Sequence, residues 1–422
     1  MEFVKLKDLC EFEKGSTGLA KAEPGDYPLV TTGAERKTSN IYQFDAKAVC
    51  IPLVSSTGHG HASLKNVHYQ EGKFALGSIL VALTSKDENR LNIQFLHLYL
   101  SQLKDQVLVP LMSGAANVAL SIKKVQDIVI PLPSIERQHE IVERFKSIVI
   151  EEAELKAELT HQQTLLKKLR QQILQEAIEG KLTADWRSQN PDVEPASELL
   201  KRIATEKAQL VKDKKIKAQK PLPPITDEEK PFELPKGWLF TRFEICSINK
   251  DELRIPITKA DRNAKQKIYD YYGASGVIDK IDGFTHQGRH LLVGEDGANL
   301  LARSTPIAFL ADGKFWVNNH AHVIATIDSI TLDYLAIHIN AINLKPYISG
   351  GFQPKLSQAN LNRIVIAVPP LMEQQAIVTK VENLLAICDQ LETQITQNQT
   401  HAEQLMQSVL KEAFNPNSES TG

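Results

Sequence analysis

The stretch PSIERQHEIVERFKSIVIEEAELKAELTHQQTLLKKLRQQILQEAI, residues 133–178, decides how the rest of the chain is read. Along it Ile141, Phe145, Ile148, Leu155, Leu159, Leu166, Leu169 and Ile173 recur in alternating steps of four and three. Glu152 and Gln162 are the two polar places in the row. A repeat near 3.5 residues held this long is a coiled-coil seam, narrower than the face a helix lays on a globular core. Pro133 and Ser134 mark the helix start, and Gly180 is where it breaks.

Moving 236 positions along the chain returns the same row: Ile377, Val381, Leu384, Leu391, Ile395, Ala402, Leu405 and Val409, weak at Cys388 and Asn398. Residues 113–178 and 349–414 share 20 identities in 66 gapless positions. Average composition supplies only about four. Among the identities are Ser113/Ser349, Gly114/Gly350, Leu120/Leu356, Pro133/Pro369, Gln138/Gln374 and Glu176/Glu412. Cys10 and Cys246 keep the same offset, and a helical pattern at 93–100 has an echo at 332–339. The middles of the two globular parts hardly align, so a tandem duplication has kept its helices and let its globular surfaces diverge.

Taken in order, residues 1–134 read as a mixed α/β unit. It has β-rich runs at 27–31, 49–54, 78–83 and 127–131 and an amphipathic helix around 93–103. Residues 135–220 form a first helical region, interrupted by the turn-rich KLTADWRSQNPDVEP and resumed as a basic helix at about 196–219. That helix's lysines suit a solvated face better than a phosphate site. Residues 221–235, rich in proline, read as an extended linker. A second α/β unit spans 236–370, a second helical region 371–415, and a tail 416–422. The fold class expected is α+β: two α/β domains joined by two long antiparallel coiled-coil helices in a pseudo-two-fold tandem repeat. A helix of forty-odd residues is about 65 Å long. Two diverged surfaces on such a spacer suit two different half-sites of one duplex.

Composition narrows the function. The formal charge is -2, but residues 236–370 carry 15 Lys+Arg against 12 Asp+Glu and residues 371–422 carry 2 against 7. Cys10, Cys50, Cys246 and Cys388 form no CxxC pair, and no signal peptide or membrane-length apolar run is evident. A cytoplasmic protein with no membrane attachment is expected. No GxxxxGK[ST] phosphate loop is present, and Pro223-Pro224 and Pro369-Pro370 lack the polar and aromatic neighbours with which amino-methyltransferases grip an adenine. Pro191-Asp192 with Glu198 and Lys201 has the wrong spacing for a nuclease, and His59 and His61 lack a third metal ligand. The expectation is a chain with no catalytic residues, no metal and no cofactor of its own.

The paired segments LSIKKVQDIVIPLPSIERQHEIV and LSQANLNRIVIAVPPLMEQQAIV, each followed by its heptad helix, carry a resemblance to a known family. So do LPKGWLFTRFEIC, YYGASGVID, LLVGEDGA and GKFWVNNHAHVI. The chain resembles the specificity subunit of type I restriction–modification enzymes over essentially its whole length. The resemblance implies that the two α/β units are target recognition domains for a bipartite, asymmetric site in double-stranded DNA. It implies that the helices bind two methyltransferase (M) subunits, through which restriction (R) subunits join. S-adenosylmethionine, ATP and Mg would then sit on those partners. Alternatives are a specificity subunit of a type IIB-like system, a fused methyltransferase–nuclease, and a coiled-coil scaffold that binds proteins only.

Candidate DNA contacts are polar, loop-borne and flanked by glycine. In the first unit they are Thr31, Thr32, Ser55, Ser56, Thr57, His59, Lys65, Arg90 and Asn117. In the second they are Tyr272, Ser275, Arg289, Asn299, Arg303, Asn318, Asn319, Gln353 and Lys355. Glu295 and Asp296 read as a structural turn, since carboxylates repel phosphate. IPLVSSTGHG stands in the first unit where LLVGEDGA stands in the second, so contacts do not carry over from one to the other.

Overall fold

The structure is a computed structural model; it describes residues 2–413 apart from 21, 58–59, 116, 220 and 264–265. His59, the side chain of Val409 and the expected tail at 416–422 therefore lie outside the described residues. Packing divides the chain into two units, residues 1–160 with the segment from 396, and residues 161–395. Each holds one globular repeat and part of both long helices.

In the first unit the strands are β1 (Glu2–Lys5), β2 (Cys10–Lys14), β3 (Tyr27–Val30), β4 (Lys37–Ser39), β5 (Phe44–Asp45), β6 (Ala48–Pro52), β7 (His68–Gln70), β8 (Lys73–Leu76), β9 (Leu80–Ser85) and β10 (Val129–Leu132). They form a β1-β10 pair and two four-stranded sheets, ordered β2-β9-β6-β7 and β4-β3-β8-β5. In the second unit they are β11 (Leu239–Arg242), β12 (Ile248–Asn249), β13 (Tyr269–Gly273), β14 (Gly276–Ile281), β15 (His286–Gln287), β16 (His290–Gly294), β17 (Ala308–Ala311), β18 (Lys314–Val317), β19 (Ala321–Ala325) and β20 (Val365–Val368). Their order is β11-β20, β12-β19-β16-β17 and β14-β13-β18-β15, strand for strand that of the first unit. A parallel strand pairing is also kept, β3 with β8 and β13 with β18. Topology has thus survived where sequence identity has not. What persists is the apolar pattern: β6 is buried at all five residues and β16 at four of its five. The helices Ile93–Gln102 and Ser329–Ala341 lie beside these sheets, capped by the side chains of Asn92 and Asp328. Burial pushes the Cys10, Cys50 and Cys246 thiols up to about 12, so they stay protonated core groups.

Each globular repeat hands the chain to a long helix, Ile135–Ile178 and Leu371–Ala413. The strand before the helix is locked by its pair, and a glutamine shared by both repeats seals the junction. Buried Gln138 donates to the carbonyls of Arg90 (2.9 Å) and Pro133 (3.0 Å) and accepts from Asn92 N–H (2.8 Å). Gln374 donates to Pro369 O at 3.0 Å. The first long helix ends where Gly180 takes φ +72°, with Lys181 N–H reaching back to Glu176 O (2.9 Å). A Cβ at Gly180 would meet Pro235 Cγ at 2.7 Å, so both the turn and the packing exclude a side chain.

Within the second unit the two long helices run antiparallel. Arg170 pairs with Asp389 (2.6 Å) and Glu392 (2.9 Å), and Lys380 donates to Leu182 O (2.7 Å), so rising numbers on one helix meet falling numbers on the other. The join is sealed by Glu373, which is fully buried. It accepts from Thr183 Oγ1 (2.8 Å), Trp238 Nε1 (2.8 Å) and the guanidinium of Arg187. One carboxylate therefore ties the end of the first long helix, the entry to the second globular repeat and the start of the second long helix.

The expected seam needs correcting. Leu159, Leu166 and Ile173 are buried at seven-residue steps, as are Val381, Cys388 and Ile395. Phe145, Ile148, Leu384 and Ala402 are half-buried, while Ile141 and Ile377 are buried beside the globular repeats. The alternate heptad line is open: Leu155, Leu169, Leu391 and Leu405 are 41–64% exposed. Two helices packed along a regular heptad seam bury both lines of the stripe; here one line is covered and the other faces outward. One other element differs from expectation. The basic helix is Ala196–Lys212, stopped by Lys214 at φ +56°, and Lys207 is an anchor, donating to Glu244 O (2.6 Å) and Ser247 O (3.0 Å). Residues 221–235, read as an extended linker, are held to the second repeat: Arg242 donates to both Glu229 oxygens and to the carbonyls of Pro223 and Pro224. Arg242, with the Thr226 backbone, holds the Glu229 carboxyl down at about 2.

Leu166→Asp puts a charge on the buried line and should cost about 3 kcal/mol or more, whereas Leu169→Asp should cost well under half of that; denaturant melts of both variants measure the difference. His338 supplies a pH test. It is buried, accepts Ala367 N–H on Nε2 (3.1 Å), and burial lowers its pKa to about 3. The unfolded chain protonates this histidine below about pH 6.5, so its contribution is complete above that value and is lost as pH falls toward 3. Thermal melts between pH 7 and 5 should show a shallower loss for His338→Gln than for the parent.

Candidate nucleic-acid interface

The same hairpin stands at one end of each globular repeat. In the first, Ser113 and Ala119 exchange backbone hydrogen bonds at 2.9 and 3.0 Å. In the second, Ser349 and Lys355 do so at 2.9 and 2.7 Å. A Cβ on Gly114 would lie 2.2 Å from Asn117 O, and one on Gly350 2.4 Å from Gln353 O; both glycines have positive φ. That is the physical reason both repeats keep Ser-Gly at this place. Each hairpin bridges to the loop after the central strand, through Val54–Ala119 in one and Asp296–Lys355 in the other. Leu120 N–H reaches Leu53 O, and Leu356 N–H reaches Glu295 O.

In the first unit this platform gathers Thr31, Thr32, Ser55, Ser56, Thr57, Lys65 and Asn117. Ser55 N–H donates to Val118 O (3.0 Å), and Asn66 Nδ2 donates to Thr32 O (3.0 Å). Most hydroxyls there serve the loop itself. Ser55 Oγ donates to His61 O (2.6 Å), Ser56 Oγ accepts Lys65 N–H (2.9 Å), Thr57 Oγ1 meets Ser63 Oγ (2.9 Å), and buried Thr31 accepts Gly33 N–H (3.3 Å). Lys65 and Asn117 present exposed side chains. Arg90 lies elsewhere, paired with Glu2 at 3.2 Å near the helix junction.

In the second unit the platform gathers Ser275, Asn299, Asn318, Asn319, Gln353 and Lys355. Asn318 is buried and accepts His320 N–H (2.8 Å), and Asn299 holds its own loop by accepting from Ser304 and Thr305. Ser275, Asn319, Gln353 and Lys355 are exposed. Tyr272 belongs to the core, stacked on Phe309 and edge-on to Phe315. Two expected contacts are corrected. Arg289 is held by Asp333 (2.7 Å) and Asp312 (3.3 Å), and Arg303 donates to Ile342 O (2.6 Å) and Ile339 O (3.0 Å) at the end of a helix.

Glu295 and Asp296 do more than turn the chain. Arg254 bridges Glu295 (2.6 Å) and Asp251 (3.2 Å), and Lys355 joins Glu295 at 3.1 Å. Buried His322 faces Asp251 at 2.6 Å and Leu356 O at 2.8 Å, and His320 meets Asp296 at 2.9 Å. Burial alone would raise the Asp251 and Glu295 carboxyls, yet both are lowered. His322 is the chief opposing influence on Asp251, and Arg254, His322 and Lys355 oppose it on Glu295. Asp251, Glu295 and His322 bring metal-ligating atoms within 4.8 Å of one another. Their lone pairs are already met by Arg254, Lys355 and the histidine, so the arrangement is an ion-pair network that fixes the platform. Sequence reading missed this network because its members come from four segments widely separated along the chain, with no periodic relation. Leu53 and Val54 occupy the matching places of the first unit, which holds the same backbone geometry by apolar packing.

A polar, loop-built platform carried twice on one backbone topology, each copy leading into a long helix, defines a tandem-repeat protein. A family profile described as the type I restriction modification DNA specificity domain matches residues 1–162 and 235–399. The chain belongs to that family. It is 32% identical over 273 residues to the type I restriction enzyme EcoEI specificity subunit of Escherichia coli. To the EcoAI specificity subunit of the same organism it is 35% identical over 277 residues. Each match takes in 58% of this chain and 45% or 44% of the relative, so the chain spans about half the length of these relatives. The crystal structure of the HsdS subunit from Thermoanaerobacter tengcongensis shares the fold, with a TM-score of 0.59 at 15% identity over 99% of this chain and 97% of that one.

Glu295→Leu, which copies Leu53, would leave Arg254 only partly paired and should cost about 2–4 kcal/mol. Arg254→Met in the same chain should recover much of that loss, which a double-mutant cycle by chemical denaturation would measure.

Proposed function

We propose that this chain is the DNA specificity subunit of a type I restriction–modification complex: a non-catalytic reader of a bipartite, asymmetric site. The observation that carries this reading is the duplicated hairpin platform, one backbone geometry with two chemistries. Lys65 and Asn117 face outward in one copy, and Ser275, Asn319, Gln353 and Lys355 in the other. Amide side chains pair with adenine in the major groove, and lysine and serine hold phosphate. Two different surfaces of this kind suit two different half-sites.

The helices are the docking region for two methyltransferase subunits, one for each repeat, and restriction subunits join through them. The exposed leucines of the second heptad line, Leu155, Leu169, Leu391 and Leu405, support this, since they leave apolar surface on the helices for a partner to cover. S-adenosylmethionine, ATP and Mg belong to those partners. Among the described residues no helix is long and apolar enough to cross a membrane.

Co-expression with a cognate methyltransferase should yield a complex of two partner copies per chain, measured by native mass spectrometry, and a split methylated motif in the host genome. Replacing residues 236–348 with those of a relative should change one half of that motif only. Gln353→Ala should weaken duplex binding by about 1–3 kcal/mol, while Arg289→Ala, away from the platform, should leave it unchanged in a titration at fixed salt. A chain that binds no duplex with its partner present would refute the reading.

A further inference from the structure

The hairpin at 349–355 carries one side chain with no place in the fold. Phe352 stands fully exposed at its tip, between Gly351 and Gln353. Single exposed apolar residues are common on protein surfaces, but this one is presented in an unusually fixed way. Its stem is closed by the Ser349–Lys355 hydrogen bonds, and Gly350 makes a turn that no side chain could share. Gly297 N–H donates to Pro354 O at 3.1 Å, and Lys355 is fastened to Glu295. The ring therefore projects from a braced stem, beside exposed Gln353 and Lys355. In the first repeat the matching residue is Ala116.

We infer that Phe352 is a wedge that enters the base stack of duplex DNA in the half-site read by the second repeat; this rests on the DNA-reading function proposed above. A flat apolar ring has a π-face that any base can cover, and aromatic wedges unstack a base step when a polar neighbour holds the backbone. Exposed Gln353, next to the ring, is placed to provide that hold. The alanine of the first repeat provides no such face, so the distortion belongs to one half-site alone.

The test uses the full chain with its co-expressed methyltransferase and a duplex enriched by that complex from a random-sequence pool. Permanganate footprinting should show a hyper-reactive, unstacked thymine or an equivalent 2-aminopurine signal in one half-site. Phe352→Ala should abolish that signal and weaken binding about tenfold, and Phe352→Trp should keep both near the parent. Unchanged affinity and an unchanged footprint in Phe352→Ala would overturn the wedge while leaving the DNA reading standing. So would loss of the methyltransferase from the complex with DNA contacts intact, since the ring would then be a protein contact. If the parent complex enriches no duplex, the DNA reading falls and the wedge falls with it.

Discussion

A single buried carboxylate holds the second half of this molecule together. Glu373 has lost all its water and is compensated by a hydroxyl, an indole N–H and a guanidinium drawn from three separate segments. A charge desolvated this far is tolerated only when its partners are in place. The geometry of the helix end, the domain entry and the second helix start is therefore coupled. Gly180, packed against Pro235, allows the approach, and Lys380 closing on Leu182 extends it. The clamp thereby fixes the second globular repeat on the ends of both long helices.

The two globular repeats show how recognition can change without disturbing a fold. Strand order, the parallel pair and the Ser-Gly hairpin are common to both. At the place where hairpin meets central strand, one repeat uses Leu53 and Val54 and the other a charged network around Glu295. Both solutions fix the same backbone. They leave different groups at the surface, a lysine and an asparagine in one, and a serine, an asparagine and a glutamine, with a lysine paired to Glu295, in the other. The constraint on the backbone is thus separate from the constraint on the readout, which is what allows the readout to diverge.

Much of this architecture was legible in the residues alone. Heptad spacing, the 236-residue offset and Gly180 are local or periodic signals, and they depend on backbone geometry that neighbouring residues determine. The duplication and the two long helices followed from them, while the family resemblance rested on the quoted segments themselves. The polar loops were also recognisable as loops, since glycine and hydroxyl side chains there serve turn chemistry.

Only the tertiary structure decided which of those polar groups are free. Arg289 and Arg303 look like base readers in sequence, yet carboxylates and helix-end carbonyls already hold them, and Asn299 and most first-unit hydroxyls stabilise their own loops. Periodicity likewise named a full seam but could not say how many helices would share it, so the open line at Leu169 and Leu405 emerged only from packing. The physical reason is common to both: spacing along the chain records backbone geometry, whereas the availability of a side chain depends on partners brought near by long-range folding. The network joining Asp251, Arg254, Glu295, His322 and Lys355 has no trace in local sequence because it exists only once four distant segments have met.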